Sequence, residues 1–175
     1  MRLELTRSVV RDFRFADLAS LVAHGDNRKI WLNLRDRFPS PYTEADARSF
    51  LERVSQLALP TVWAIEVDGE AVGGIGLELL SDVERVSAEL GYWLGERYWN
   101  RGIVTEAVRE VTAEAFRRLN LTRIFALPFA DNIGSIRVLE KSGFVLEGTL
   151  RQSAIKENVI RDQCLYAAYK SRPSS

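Results

Sequence analysis

The clearest pattern of hydrophobic and polar positions lies in residues 89–108, which read ELGYWLGERYWNRGIVTEAV. A strand-like segment leads there through a short glycine-bearing loop directly into an amphipathic helix over residues 105–119. Apolar residues recur at i+3 and i+4 spacing around this helix, at Val104, Val108, Val111, Ala115 and Leu119. That spacing gives the helix one apolar face and predicts that it packs on a sheet.

The remaining segments also alternate between strand and helix patterns. We predict strands near residues 3–9, 61–67, 71–79, 86–94, 123–127, 144–151 and 159–167, and helices over residues 11–23, 27–35, 45–57 and 132–141. Thr43 is the predicted N-cap of the third helix, and Gly143 follows the last helix at the C′ position. Asp68-Gly69 predicts a two-residue hairpin turn. The alternation predicts a mixed α/β fold.

Two further features carry local predictions. Three glycines, Gly73, Gly74 and Gly76, interrupt the strand over residues 71–79, which predicts either a bulge or the close approach of a ligand. His24 stands before Gly25 in a polar segment, where we expect a turn residue rather than a catalytic one.

The loop before the amphipathic helix has the chemistry of an anion site. A helix entered through such a loop presents backbone N–H groups and the positive end of its dipole, which suit a phosphate. Arg97 and Arg101 flank the turn, and Gly102 permits a backbone approach that a Cβ would obstruct. These features predict a phosphate-binding turn. A plain strand-to-helix turn with one glycine has the same pattern.

Composition narrows the classes of protein. The chain has 175 residues and equal numbers of cations and carboxylates, 24 each, so its formal net charge is zero. With this balance the chain lacks the excess of positive charge that is typical of proteins that bind nucleic acid or an anionic membrane. One cysteine and one histidine argue against a disulfide framework and a metal cluster. The first residues alternate apolar and charged side chains, unlike a signal peptide or membrane span. We expect a cytoplasmic protein with one domain over residues 1–170 and a disordered tail at 171–175.

Three segments together resemble the GNAT superfamily of N-acyltransferases, and most closely its RimJ/RimL-type branch. Residues 89–108 are similar to the acyl-coenzyme A-binding motif of the family. Residues 131–144, DNIGSIRVLEKSGF, resemble the strand–helix–strand block that follows it, and residues 38–50, FPSPYTEADARSF, resemble an upstream turn of the branch. The three matches cover nearly the whole chain in the expected order, which makes the combination specific.

The resemblance implies the GNAT fold: a mixed α/β (α+β) domain built on a mostly antiparallel twisted sheet of about seven strands. A central parallel pair splays apart, and helices flank both faces. In this chain the splay would lie between residues 92–94 and 125–127. Pantetheine would pair with the edge of one strand there, and a backbone N–H near Trp93 or Leu94 would polarise the acyl carbonyl.

The resemblance also implies which residues bind acetyl-CoA or another acyl-CoA. They are Tyr92, Trp93, Leu94, Arg97, Asn100, Arg101, Gly102, Ile103, Val104, Thr105, Asn132 and Arg137. Asn132 matches a position that contacts the pantetheine arm, while a simple helix N-cap is the alternative. For Arg137, a solvated helix cation is the favoured alternative. Val104 is bulkier than the small residue usual in the family.

Glu89 is the candidate general base, because catalytic glutamates of several GNAT enzymes occupy this strand position. Ser135 matches a position near the departing thiolate in RimL-like proteins. For each residue a purely structural role is the alternative. Other family positions lack their acid–base groups, with Leu139, Ala154 and Leu127 in those places. Trp31 and Tyr42 are candidates to line the acceptor side, and core packing is their alternative.

We therefore predict an acyl-CoA-dependent N-acetyltransferase that acts on a primary amine by direct attack in a ternary complex, without a metal. A protein N-terminal α-amine is the favoured acceptor, as the resemblance implies. Its pKa near ~7.8 also leaves more of it neutral than a lysine near ~10.4, which suits an enzyme with a weak base. Two alternatives stay open: a small-molecule amine such as a polyamine or aminoglycoside, and an acyl-CoA-binding sensor without turnover. The sequence is compatible with a homodimer but does not decide it.

Overall fold

The computed structural model describes residues 1–171, and these fall into two compact units. The first comprises Met1–Gly76 and Tyr92–Ala107, and the second comprises Leu77–Gly91 and the chain from Val108 onward. The single domain over residues 1–170 stays a prediction. Apart from Ser171, which lies in neither a helix nor a strand, the predicted tail at 171–175 is outside the described residues.

Within the described residues the structure has eight strands: β1 (Arg2–Glu4), β2 (Val9–Arg11), β3 (Val62–Val67), β4 (Glu70–Leu79), β5 (Ser87–Leu94), β6 (Arg123–Ala126), β7 (Val145–Lys156) and β8 (Val159–Tyr169). Their order in the sheet is β1-β2-β3-β4-β5-β6-β8-β7. β5 and β6 are parallel, whereas β1–β2, β2–β3, β3–β4, β6–β8 and β7–β8 are antiparallel. The predicted mostly antiparallel α/β sheet with a parallel pair is confirmed.

Five α-helices connect these strands in the described part of the chain: α1 (Leu18–Gly25), α2 (Arg28–Trp31), α3 (Glu44–Ser55), α4 (Ile103–Arg118) and α5 (Ile133–Lys141). The predicted N-cap of α3 is confirmed, since Thr43 and Asp46 form a reciprocal capping box. The capping hydroxyl of Thr43 is the main cause that lowers the pKa of Asp46.

The N-terminal prediction was wrong in two respects. The segment over residues 3–9 forms two short strands joined by a turn, in which Leu5 N donates to the Ser8 carbonyl at 2.9 Å. The first helix begins at Leu18 rather than near residue 11, because Val9–Arg11 pairs with β3 instead. The sheet consequently has one strand more than the seven expected. α2 is also shorter than the predicted 27–35, although Asn27 caps it.

A buried ion pair ties the start of the first unit together. The Arg11 guanidinium donates to both carboxylate oxygens of Asp17, at 2.7 and 2.8 Å, and also to Glu66. The bond to Asp17 is the largest cause that raises the pKa of Arg11. Because Arg11 and Asp17 are both buried, loss of either partner would leave an uncompensated charge.

One cluster in the core of this unit is rich in aromatic side chains. Leu21, Tyr42, Ala47 and Leu51 are buried, and six partly buried side chains pack against them: Phe13, Leu18, Val22, Phe38, Phe50 and Trp93. The glycine-rich strand β4 passes beside this core. A Cβ on Gly73 would lie 2.4 Å from the Trp93 carbonyl oxygen, so the close approach is made by β5. The β3–β4 register also shifts between Ile65 and Glu66, which confirms the predicted bulge.

The second unit contains the parallel pair and a long hairpin. Gly143 has a φ of +87° directly after the Ser142 C-cap of α5, as predicted for a C′ glycine. β7 continues to Lys156, beyond the predicted end at residue 151. A register shift between Leu150 and Ala154 interrupts the strand, and pairing with β8 resumes after it.

Candidate functional site

The loop of residues 95–102 connects β5 to α4 in the first unit. Asn100 and Gly102 both have a positive φ, +59° and +77°, so the backbone turns sharply just before the helix. Glu106 N donates to the Gly102 carbonyl at 3.1 Å as α4 begins. The N–H groups of the first turn have no acceptor within the helix, and they share the positive end of its dipole. The predicted strand–loop–helix geometry is therefore present.

Trp99 fixes the middle of this loop. Its indole Nε1–H donates to the Leu94 carbonyl at 2.7 Å, across the turn from the end of β5. The contact gives Trp99 a local structural role.

The two arginines of the loop share one aromatic neighbour. The guanidinium carbons of Arg97 and Arg101 lie 5.0 and 5.5 Å from the centre of the Tyr98 ring. Arg97 Nη2 also donates to Glu70 Oε2 at 2.7 Å. The Arg97 guanidinium thus contacts Tyr98 and Glu70, while its side chain remains 58% exposed.

His24 does not lie in a polar loop as predicted. It stands in the last turn of α1, is buried, and has Nε2 3.0 Å from Glu70 Oε1 and 3.1 Å from Arg97 Nη2. A Cβ on Gly95 would come within 3.0 Å of His24 Nδ1. His24 therefore supports the start of the loop.

Glu96 links the loop to α2. It accepts a hydrogen bond from Asn27 Nδ2 at 2.8 Å and another from Lys29 Nζ. The Lys29 hydrogen bond, followed by that of Asn27, lowers the pKa of Glu96. Asn27 has a second use, because its side-chain oxygen accepts from Lys29 N at 2.9 Å and caps α2.

The turn between β1 and β2, residues 5–8, also contacts this region. Thr6 donates from its backbone N and its hydroxyl to Glu106 Oε1, at 3.0 and 2.6 Å. Arg7 Nη1 donates to the carbonyl oxygen of Arg101. Neither residue was among the sequence-based candidates.

The two aromatic candidates for the acceptor side, Tyr42 and Trp31, have different surroundings in the structure. Tyr42 is buried and stacks on Phe38 with ring centres 4.6 Å apart, and Phe38 meets Trp93 edge-on at 5.7 Å. Burial raises the pKa of Tyr42 to about 12, so its phenol stays neutral. Trp31 is half-buried, with the Arg28 guanidinium 5.7 Å from its ring centre. For Tyr42, these contacts favour the core-packing alternative.

Glu89 lies in the second unit at the point where the parallel strands separate. The β5–β6 register runs from Ser87 opposite Arg123 to Glu89 opposite Phe125. It ends there, although Leu90 and Gly91 continue β5 and Ala126 continues β6. Glu89 is half-buried at this position.

The helix candidates of the second unit lie around the start of α5. Asn132 Oδ1 accepts from Ser135 N at 3.1 Å, which is an N-cap hydrogen bond, and Ser135 is half-buried in the first turn. Arg137 is exposed, whereas Leu139 is fully buried, so the residue at that family position is part of the core.

Ala154 and Leu127 are the other two positions at which this chain departs from the family pattern. Ala154 is half-buried in β7 opposite Arg161. The Leu127 carbonyl accepts from Gln163 Nε2 at 3.1 Å. Neither position supplies an acid–base side chain.

Two further findings apply to residues 1–171. No group of three or more His, Cys, Asp or Glu side chains is arranged to hold a metal ion. No helix in this part of the chain has the length and apolar composition needed to cross a membrane.

With this geometry in place, comparison with known proteins identifies the family. Residues 7–145 match the family model described as the acetyltransferase (GNAT) domain. The chain belongs to the GNAT acetyltransferase family, as its sequence motifs predict.

Relatives of known sequence support this assignment. The chain is 37% identical over 112 residues to the uncharacterized N-acetyltransferase YoaA of Bacillus subtilis, and the match covers 63% of each chain. It thus spans less than two thirds of that relative. It is 27% identical over 143 residues to the ribosomal-protein-serine acetyltransferase of Escherichia coli, with 79% of each chain covered.

A solved structure agrees in fold. RimL, a ribosomal L7/L12 alpha-N-protein acetyltransferase in complex with coenzyme A, superimposes with a TM-score of 0.86 over 97% of this chain and 98% of its own. The two sequences are 19% identical, so this likeness shows the fold alone. Membership of the GNAT acetyltransferase family supports the acyl-CoA co-substrate predicted from the sequence.

Proposed function

We propose that this protein transfers an acetyl group from acetyl-CoA to a primary amine, most favourably the α-amine of a protein N-terminus. The observation that carries the proposal is the loop of residues 95–102, which opens into α4 with positive φ at Asn100 and Gly102. The N–H groups around Gly102 and the first turn of α4 would bind the diphosphate. Acetyl-CoA is an intracellular metabolite, so the proposal places the reaction in the cytoplasm.

The other cofactor residues have distinct proposed roles. Arg101 supplies mobile positive charge beside the diphosphate, and Arg97 adds charge from a side chain already oriented by Glu70. Asn132 would contact pantetheine through its amide nitrogen, because its oxygen is used for the N-cap. Arg137, exposed on α5, would face the nucleotide.

Glu89 is the proposed general base and Ser135 the proposed group beside the departing thiolate. Amine attack on the thioester forms the C–N bond, the C–S bond breaks, and the ammonium proton must leave the product. Glu89 is placed where β5 leaves β6, and a carboxylate there would accept that proton directly or through water. The Ser135 hydroxyl would donate a hydrogen bond to the thiolate sulfur.

An α-amine suits such limited acid–base machinery. With a pKa near ~7.8 it is roughly a tenth neutral at pH 7, whereas lysine is far less so. Residues 27–38, which include the acceptor candidate Trp31, carry four cationic side chains and one carboxylate. Such a segment repels polycations and supports a peptide acceptor over a polyamine.

We further propose that two copies associate through β7. This strand is last in the sheet order and most of its residues are exposed. Ile155 and Ile160 face each other across the hairpin and are 55% and 57% exposed; Leu146 and Leu150, further along β7, are also exposed. An exposed apolar edge strand favours pairing with another strand, and two identical edges can meet about a two-fold axis. Light scattering should show a dimer that Ile155→Lys with Ile160→Lys dissociates; a monomeric wild type would refute it.

Free-thiol release tests the activity. The wild type should release coenzyme A from acetyl-CoA with a peptide that has a free N-terminus. It should fail with the same peptide acetylated at its N-terminus but carrying an internal lysine. Propionyl- and succinyl-CoA test the acyl chain, while spermidine and an aminoglycoside test small-molecule acceptors. Release with those amines alone would overturn the peptide assignment, and tight coenzyme A binding without release across the panel would indicate a sensor.

A further inference from the structure

We propose that Arg7 is a positioning residue for the diphosphate: by holding the Arg101 carbonyl it aims the Gly102 N–H at the phosphate oxygens. The inference rests on the proposed function. It concerns the turn of residues 5–8, which lies outside the segments that resemble the acyl-CoA motif.

The peptide unit between Arg101 and Gly102 sets the direction of the Gly102 N–H. A trans peptide is planar, and its C=O and N–H point in opposite directions. Arg7 Nη1 donates to the Arg101 carbonyl oxygen, so this oxygen faces the turn of residues 5–8. The Gly102 N–H of the same peptide unit therefore points away from that turn.

Without a side-chain partner, this peptide could rotate more freely. Gly102 has a φ of +77° and no Cβ, so few steric contacts restrict it. Beyond the adjacent residues, the atom nearest to a Cβ built on Gly102 would be Arg7 Nη1, at 3.8 Å, which places the guanidinium beside the flexible residue. The hydrogen bond from Arg7 supplies the restriction that glycine lacks.

A second contact from the same turn holds the other side of the junction. Thr6, adjacent to Arg7, donates from both its backbone N and its hydroxyl to Glu106 Oε1 in the first turn of α4. The two neighbouring residues thus contact the loop and the helix that it enters. This arrangement fixes Arg7 relative to Arg101, so the carbonyl is held in a defined direction.

The test compares an acyl donor that has the diphosphate, acetyl-CoA, with one that lacks it, S-acetylpantetheine. Arg7→Met removes the hydrogen-bond donors and keeps a similar aliphatic stem. We expect the KM for acetyl-CoA to rise roughly tenfold or more, as for loss of a charged hydrogen bond. kcat at saturation should change less than about twofold, and kinetics with S-acetylpantetheine, which has no diphosphate, should be unchanged. Arg7→Lys should recover most of the loss. Arg2→Met, an exposed arginine in β1, is the matched control and should behave as wild type.

A spectroscopic measurement separates positioning from direct contact with phosphate. In ¹⁵N–¹H spectra of the ligand-free protein, Arg7→Met should shift the Gly102 amide resonance and shorten its hydrogen-exchange lifetime. Coenzyme A should then move this resonance less than in the wild type. An unchanged Gly102 resonance in ligand-free Arg7→Met, or equal losses with both acyl donors, would overturn the inference. If the wild type bound coenzyme A but released no thiol, the proposed function would fail, while the coenzyme A dissociation constant and the Gly102 shift would still decide the role of Arg7.

Discussion

Different contacts stabilise two regions of the molecule: the loop of residues 95–102 in the first unit and the start of α5 in the second unit. Charged and polar side chains from distant parts of the sequence contact the loop, namely Arg7, His24, Asn27, Lys29 and Glu70. The start of α5 is held by the Asn132 cap and by one distant charged side chain, since Arg161 pairs with Asp131 at 3.3 Å; nearby backbone carbonyls also accept from Gln163 and from the Cys164 amide.

This difference suggests a division of labour under the proposed function. The loop orients backbone groups toward an anion, and several independent contacts maintain that orientation. The second unit offers few side chains for chemistry, with Glu89 and Ser135 as the candidates. We therefore expect substitutions in the loop to change the KM for acetyl-CoA, and substitutions of Glu89 or Ser135 to change kcat.

The largest effect is expected for Glu89→Gln. Loss of a general base lowers kcat by about 100-fold or more, while the KM for acetyl-CoA should stay near that of the wild type. The pH–rate profile of the variant should then follow the neutral fraction of the added amine. Glu84→Gln, an exposed glutamate of the same unit, is the control. A pH–rate profile identical to that of the wild type, with unchanged kcat, would remove Glu89 from the mechanism.

Gly102→Ala should give a smaller effect, and on the KM for acetyl-CoA rather than on kcat. An alanine at a φ of +77° is strained by roughly 1–2 kcal/mol, so the loop should relax to another backbone conformation. We expect the KM for acetyl-CoA to rise about tenfold with little change in kcat. Gly148→Ala is the matched control, because a Cβ there meets nothing within 4 Å and the φ is not positive. Equal kinetics for the two variants would show that the loop conformation does not matter.

Local patterns account for what the sequence predicted well. The apolar spacing of α4, the Thr43 cap and Gly143 each depend on residues within a few positions, which propensity and periodicity describe. The loop contacts depend on long separations: Arg7 and Arg101 are 94 residues apart, and His24 and Glu70 are 46 apart. No pattern along the chain indicates such pairs. For the same reason, the local pattern predicts a turn at His24 and a helix at Arg11, although Arg11 pairs with β3.

Two substitutions of Asn132 separate its cap from its proposed contact with pantetheine. Asn132→Ala should lower the stability by about 1 kcal/mol, a fall in Tm of about 2–4 °C, because the Ser135 N–H loses its acceptor. Asn132→Ser should keep the cap and the Tm. Both variants lack the amide nitrogen, so both should raise the KM for acetyl-CoA to a similar extent. A normal KM in Asn132→Ser would leave Asn132 as a cap alone.

The smallest effect concerns pH and Glu96. Lys29 and Asn27 lower its pKa in the folded protein, so the folded state binds this proton less readily than the unfolded state. The resulting stabilisation is present above the unfolded pKa of about 4.3 and is lost as the pH falls through the lower folded value. In urea titrations, Glu96→Gln should therefore be less stable than the wild type at pH 7, and the two should converge as the pH falls and Glu96 becomes protonated in the folded protein. A difference that stays constant with pH would contradict this contact.

A crystal structure with coenzyme A would test the central claim most directly. The account predicts diphosphate oxygens within hydrogen-bond distance of the N–H groups of Gly102 and the first turn of α4, with the Arg101 carbonyl still on Arg7. A diphosphate bound elsewhere on the protein, with these N–H groups making no contact to it, would contradict the account.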